Sequence, residues 1–435
     1  MASIFRSTLS ALLLQLLLLP LGIDAAPTPG LTVANPDATN IVPNSYIVKY
    51  RKDASYDVLR QSQQTADELM KLTYPGIPGV VPSSPFVFNF FNISSTFFGL
   101  HVQAEDPDMI RRIAADPAVE YVLYDTYVTN AGQPTRQPGA RASLARISQA
   151  RPLAEEADGD YTYDSSAGEG TTVYIIDSGI YVDHPDFQGR ARHGYNAIDR
   201  NTNSHDDNGH GTNVAGIVGS ATYGVAKRTE LVAVKVLDST SWGTWAGIID
   251  GMQWASDDIQ YRRRSVGRAV INMSIQSDRV DAMNDMVDAI HGAGIPVVAC
   301  AGNYNDRLAE SVAWIQKDAS TISPASAASA ITVGAIDALN DNKADFSDYG
   351  SAVDVFAPGV HVVSLSHNGG TSTYSGTSQS APHVAGIAAL LMSSEGLSDP
   401  DAIAARIKRL ASDTGASVQQ NVQSTTNLIA NNGFK

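Results

Sequence analysis

An α/β fold, a doubly wound and mostly parallel sheet with helices on both faces, is predicted by three observations. First, six short apolar runs alternate with stretches of helical periodicity: Thr172 to Ile176, Leu231 to Leu237, Ala269 to Ile275, Pro296 to Ala301, Ala330 to Ile336 and Val353 to Phe356. Second, these runs are unbroken rather than alternating, as strands buried on both faces are, and such burial belongs to parallel sheets. Third, polar residues in glycine-rich turns stand at the ends of strands or the starts of helices, the edge where open α/β sheets gather their sites. A small α+β unit is expected ahead of this domain.

Taken in order, the chain begins with Arg6, the apolar run Ala11 to Leu19, Pro20 and the small-residue stretch Asp24-Ala25-Ala26. That pattern predicts a secretory signal peptide over residues 1–25. The run is about half of the roughly 20 apolar residues a membrane-spanning helix needs, and no later segment supplies one. The product is therefore expected outside the cell, without a membrane anchor. Residues 27–44, rich in Pro, Asn and Thr, read as a leader. Ser45 to Tyr50 and Tyr121 to Tyr124 read as strands, with helical periodicity over Ala54 to Leu72 and Pro107 to Ala115 between them. Thr129 to Ala140 carries Pro, Gly and Gln without period, as an exposed linker does. The predicted organisation is a signal peptide (1–25), an α+β segment (26–130) and the α/β domain (131–435).

Composition narrows the function. The 435 residues carry a formal charge of −15, which argues against long-range attraction to nucleic acid or anionic membrane. The one basic cluster, Arg262-Arg263-Arg264, reads as a solvated loop. A single cysteine, Cys300, excludes any intramolecular disulfide, so packing, with any bound ions, must hold an exported protein together. The chain shows no internal repeat, and a monomer is expected.

Three residues supply the parts of nucleophilic hydrolysis. Asp177 ends the first apolar run, just before Ser178-Gly179; His210 lies in Asp207-Asn-Gly-His-Gly-Thr212; Ser378 lies in Ser375-Gly-Thr-Ser-Gln-Ser-Ala-Pro-His383. Such chemistry needs a hydroxyl, an imidazole to take its proton and an acid to fix the imidazole's tautomer. His210 and Ser378 both precede small-residue stretches that read as buried helices, so each sits at a helix N-terminus, whose dipole favours an alkoxide and disfavours a premature imidazolium. Asn303, in Ala301-Gly-Asn303 after the fourth run, offers a side-chain amide to an oxyanion, with the Ser378 backbone N–H as second donor. Singly, each of these residues is more often a turn, cap or helix start.

With these motifs the chain resembles the subtilisin-like serine peptidases, and more closely the proteinase K branch of secreted fungal enzymes. The order Asp, His, Ser is that of subtilisins. The resemblance extends through Leu144-Ala-Arg-Ile-Ser148, Tyr223-Gly-Val-Ala-Lys227, Val234-Lys-Val-Leu-Asp238, Ser323-Pro-Ala-Ser326, Phe346-Ser-Asp-Tyr-Gly350 and Thr426-Asn-Leu428, and so covers residues 131–435. It implies a secreted endopeptidase acting on proteins and peptides, with no cofactor for catalysis. It also implies that the segment from about 45 to 128 is a propeptide that assists folding, inhibits its own enzyme and is then cut away, with cleavage after Asn130. Substrate would pair as an added strand with Ser241-Trp242-Gly243 and Ser274-Ile275-Gln276, while Cys300, Ala301 and Gly302 would line the first specificity pocket. Asp354 with the carbonyls of Ala328 and Ala330 would bind a structural calcium, carboxylate and carbonyl oxygens being suited to it; Asp354 equally suits a turn cap.

Several positions depart from the family pattern. Ser-Leu-Gly-Gly becomes Ser274-Ile-Gln-Ser277, placing a side chain where the family keeps bare backbone. Asn213 follows His-Gly-Thr in place of a second His, and Gln379 replaces the methionine after the nucleophile, which predicts tolerance of peroxide. The loop Tyr304 to Ile322, with Trp314, is longer than usual and either covers part of the cleft or is a solvent loop. Cys300 is either a reactive thiol or, as free cysteines more often are, packing. Two sequons occur; Asn272 lies on a core strand, which leaves Asn92 as the expected glycosylation site. The altered wall keeps two further readings open, a narrow processing peptidase and a catalytically silent binding protein.

Overall fold

The six apolar runs become six strands of one sheet. The computed structural model describes residues 34, 41–54, 89–93, 97–103, 107–126, 133–155, 159–263, 265–303 and 317–434. The signal peptide, the helical stretch from residue 55 to 72, the cleavage position at Asn130, Arg264 and the loop residues 304–316 with Trp314 lie outside these, as does the side chain of Asn92.

The chain divides into two compact units, Met1–Thr126 and Tyr127–Lys435. In the first, β1 (Ile41–Tyr50), β2 (Asn89–Ile93), β3 (Phe97–Gln103) and β4 (Val119–Thr126) form an antiparallel sheet in the order β2-β3-β1-β4, with helix α1 (Pro107–Ala114). Val48, Tyr50, Leu100, Val102 and Val122 pack with Ile110 and Ile113 of the helix in one apolar cluster. This is the α+β unit expected.

The second unit opens with a correction. Pro134 to Ala140, expected as an exposed linker, is strand β5 (Pro134–Ala140), paired antiparallel with β6 (Gly159–Asp164) across the short helix α2 (Ala142–Arg146). Its prolines are tolerated because the ribbon has only these two strands and its register shifts between Gln137 and Ala140.

Beyond it, β7 (Thr172–Asp177), β8 (Ala191–Asn196), α3 (His210–Gly219), β9 (Glu230–Lys235), α4 (Trp245–Asp257), β10 (Ala269–Met273), β11 (Ser277–Asp278), α5 (Asp281–Gly292), β12 (Val297–Cys300), β13 (Ile322–Ser323), β14 (Ile331–Ile336), β15 (Val355–Pro358), β16 (Val362–Leu365), β17 (Thr371–Tyr374), α6 (Thr377–Ser394) and α7 (Pro400–Asp413) follow. Seven strands form a wholly parallel sheet, β15-β14-β12-β10-β7-β9-β8. Only β8 escaped sequence reading, because its residues Ala-Arg-His-Gly-Tyr-Asn form no apolar run and it lies at the sheet edge.

Alternate strand residues feed two cores. Val173, Ile175, Leu231, Val270 and Val298 join Val214 and Val218 of α3 and Val384 and Ile387 of α6. Tyr174, Ile176, Val232, Val234 and Ile271 join Met252 of α4 and Val287 of α5 on the other face. Each such side chain contributes about 1.5–3 kcal/mol on full burial, so both sheet faces must be covered. Strand order reverses around β7, with β9 on one side and β10 on the other. Asp177 ends β7 at that reversal, the position where doubly wound folds open a crevice.

Candidate active site

Asp177 is completely buried, and a buried carboxylate needs partners. Its Oδ1 accepts from the Ser178 N–H at 2.7 Å, and Oδ1 and Oδ2 lie 2.8 and 3.0 Å from Nδ1 of His210. With Nδ1 donating, the neutral imidazole keeps its lone pair on Nε2, the tautomer a general base requires.

His210 opens α3, and the loop before it is held by a second buried carboxylate, Asp206. Asp206 accepts from Ser178 Oγ at 2.9 Å, from the N–H groups of Asn208, Gly209 and Thr212 at 3.1, 2.8 and 2.8 Å, and from Thr212 Oγ1 at 2.5 Å. Burial acts to raise its pKa, yet these hydrogen bonds prevail and hold it below the ordinary carboxylate value. Gly211 lets the first turn of α3 approach Asp177: a Cβ there would stand 2.1 Å from the Gly179 carbonyl oxygen. For His210, burial disfavours the imidazolium, but the Asp177 charge and hydrogen bond, with Asp206 behind, outweigh it and raise the pKa above 6.5.

Ser378 is the second residue of α6, so its N–H belongs to the helix's first turn and has no intrahelical acceptor. Pro382, four residues on, has no N–H to give the Ser378 carbonyl. Ser274 Oγ donates to that carbonyl at 2.8 Å instead, and Ser378 Oγ donates to the Ser274 carbonyl at 3.2 Å. Helices α3 and α6 pack together, and Gln379 Nε2 lies 3.5 Å from Asn213 Oδ1, which joins the turn after Ser378 to the turn after His210.

Asn303 is oriented by the same helix start. Its Oδ1 accepts from the Thr377 N–H at 2.7 Å and from Thr377 Oγ1 at 3.0 Å, which leaves the side-chain NH₂ as the donor available beside Ser378. Acid and imidazole thus form one bonded pair, while hydroxyl and amide flank the start of α6.

A cavity of about 400 Å³ adjoins His210, lined on one side by Leu237, Ser241, Trp242, Gly243, Trp245 and Ile248 and on the other by Ser274 to Ser277. Both expected wall segments, Ser241-Trp242-Gly243 and Ser274-Ile275-Gln276, therefore face one groove, and Trp242 stands 75% exposed at its rim. Asp238 shapes the first wall by accepting from the N–H groups of Thr240 and Trp242. Leu237, Trp245 and Ile248 were not foreseen; the apolar Trp245-x-x-Ile248 spacing at a helix start after Thr244 was the available signal.

The model matching residues 168–429 is that of Peptidase S8, the subtilase family. The chain belongs to the subtilase family. It is a serine endopeptidase, a hydrolase whose substrates are proteins. It is 38% identical over 403 residues to Subtilisin-like protease 2 of Pseudogymnoascus destructans, covering 92% of each chain. It is likewise 38% identical over 413 residues to the Cuticle-degrading serine protease of Arthrobotrys oligospora, covering 92% of this chain and 93% of that one. Among solved structures, a cold adapted subtilisin-like serine proteinase superposes with a TM-score of 0.58 at 34% identity, covering 68% of this chain and 98% of that chain.

In this subtilase the side chains of Cys300 and Ala301, expected along the first specificity pocket, are both fully buried, within two different apolar clusters. The reason is that the strand β12 turns its last side chain inward, where the Cys300 Sγ donates to the Ile275 carbonyl at 3.4 Å. Burial pushes the thiol pKa up to about 12, only partly offset by Ser378 and Thr377, so packing is its role. Gly302 is buried too, at φ +116°, and a Cβ there would stand 2.3 Å from Asp348 Oδ2. Asn272 is buried and donates to Ser274 Oγ.

The residues around Asp354 do not fit calcium as they stand. Its Oδ2 accepts from the Thr332 N–H at 3.0 Å and its Oδ1 from Lys408 Nζ at 3.1 Å. An ammonium already neutralises the one carboxylate, and both of its oxygens are taken by donors of the chain itself. Among the described residues no group of three His, Cys, Asp or Glu side chains could hold a metal, and no helix is long and apolar enough to cross a membrane.

Proposed function

We propose that this subtilase is secreted, is made as a precursor that cuts itself, and hydrolyses peptide bonds through Ser378, His210 and Asp177. The observation that carries the reading is the Asp177–His210 pair at 2.8 Å, with His210 on the helix that packs against the Ser378 helix. Ser378 Oγ leaves the Ser274 carbonyl, gives its proton to His210 Nε2 and attacks the peptide carbonyl. His210 then passes the proton to the leaving amine. Water deprotonated by His210 cleaves the resulting Ser378 ester, His210 returns the proton to Ser378 Oγ, and Asp177 stabilises the imidazolium in both halves. The Asn303 NH₂ and the Ser378 N–H receive the oxyanion; loss of such a side-chain donor costs roughly 10² to 10³ in turnover, a magnitude already known from a subtilisin. The reaction asks for no cofactor.

Residues 1–25 fit a signal peptide, and 26–130 a propeptide that inhibits its own enzyme until removed, leaving 131–435 as a monomeric peptidase. Support comes from the apolar N-terminal run and from the separate compact unit ending at Thr126. The test is to express the whole chain and its Ser378→Ala variant and follow their masses. Trimming of the first alone to a start near residue 131 is expected; identical masses for both, trimmed or full length, overturn self-processing.

A further inference from the structure

The ladder between β10 and β12 ends at the pair Met273 and Ala299, after which the two chains part. The segments that continue them flank the nucleophile turn: Ser274 is bonded to Ser378, and Asn303 to Thr377. A peptide with its carbonyl carbon at Ser378 Oγ and its oxygen at the Asn303 amide turns its leaving nitrogen toward His210. The side chain on the acyl side of the scissile bond is then directed away from His210, into the gap between 274–276 and 301–303.

Gln276 crosses that gap. Its Oε1 accepts from the Asn303 N–H at 2.6 Å and its Nε2 donates to the Asn303 carbonyl at 3.4 Å. The carboxamide thus pairs with both backbone groups of one residue, as a neighbouring strand would. A glycine at 276 would leave the gap open. Gly302, on the facing wall, runs close alongside: a Cβ there would touch Gln276 Oε1 at 3.5 Å, an ordinary van der Waals contact.

We propose that Gln276 is a bar across the acyl-side pocket that limits cleavage to bonds following small residues. A methyl group passes under the bar; an aromatic ring requires both Gln276 hydrogen bonds to break, and exposes the Asn303 N–H at the moment its amide must hold the oxyanion. This inference rests on the catalytic reading above and adds a substrate class to it.

The test uses the mature enzyme and fluorogenic peptides that differ only in the acyl-side residue, Ala, Leu or Phe, with Gln276→Gly and Gln276→Asn beside the unaltered protein. Asparagine keeps the amide but is one methylene too short to span, and serves should the glycine variant fold poorly. A fluorophosphonate probe that labels the serine counts active sites in each preparation. The unaltered enzyme is expected to prefer Ala over Phe by at least about 10-fold in kcat/KM, the discrimination that small differences in side-chain volume produce. In both variants the Phe-to-Ala ratio is expected to rise by at least as much, chiefly through a lower KM for the Phe peptide. Labelled enzymes with equal Phe-to-Ala ratios in all three proteins overturn the bar while leaving the catalytic reading intact. Absence of labelling in the unaltered protein overturns both.

Discussion

Ser274 and Ser378 exchange hydrogen bonds, each hydroxyl donating to the other's backbone carbonyl, at 2.8 and 3.2 Å. The exchange exists because Pro382 leaves the Ser378 carbonyl without its helical donor. It ties the nucleophile turn to the substrate wall and holds the Ser378 hydroxyl until substrate arrives.

Ser274→Ala strands that carbonyl. In a Ser378→Ala background, which keeps the carbonyl and prevents self-digestion, stability is expected to fall by about 1–3 kcal/mol, the cost of a buried polar group left unmade. Adding Pro382→Ala restores a helical N–H, so the double variant is expected to recover at least half of that loss. Urea unfolding read as a double-mutant cycle checks this; purely additive losses would refute it.

Activity should fade on the acid side at a pH above the ordinary imidazole value. His210 is held charged more strongly than usual by Asp177, and the charged form is no base, so kcat/KM rises only as pH climbs past the raised pKa. Asp177→Asn removes the larger supporting charge and leaves burial opposed by Asp206 alone. Its acid limb is expected to move to lower pH while turnover drops roughly 10⁴-fold, as in other triads. A pH–rate profile of both proteins decides, and an unmoved limb would count against the assignment.

Dilute peroxide is expected to spare the enzyme. Gln379, buried next to the nucleophile and within 3.5 Å of Asn213 Oδ1, offers no thioether. Gln379→Met places an oxidisable sulfur there. Residual activity after timed exposure should fall in the variant and hold in the parent; equal loss in both refutes the idea.

Native Cys300 should resist iodoacetamide at pH 8. The thiolate is the reactive form, and burial has raised this thiol to about 12. Mass spectrometry is expected to find alkylation only after unfolding.

Calcium, added or chelated, should leave the unfolding midpoint unchanged, because Lys408 already serves Asp354. In Lys408→Ala the carboxylate is released, and calcium at 100 times its Kd would then stabilise by about 2.7 kcal/mol. A rise in the parent protein would show that the ion displaces the lysine.

What the sequence displayed was local. Asp177, His210, Ser378 and Asn303 each stand at a strand end or helix start marked by glycine and small residues, and six core strands announced themselves as apolar runs. What it concealed was contact between distant segments. Nothing near Asp354 points to Lys408, 54 residues later, and Gln276 reads as an odd residue in a wall until Asn303 is seen opposite. The inward turn of Cys300 follows from where β12 ends, which pattern fixes only to within a residue or two. The strand β5 was hidden by prolines that a two-stranded ribbon accepts.

The solitary, sealed cysteine has a consequence for the conditions this enzyme tolerates. Reductants open disulfide-crosslinked proteins, loosening their chains for attack. This one has no crosslink to lose, so a thiol-rich medium that unlocks such a substrate leaves the protease itself intact.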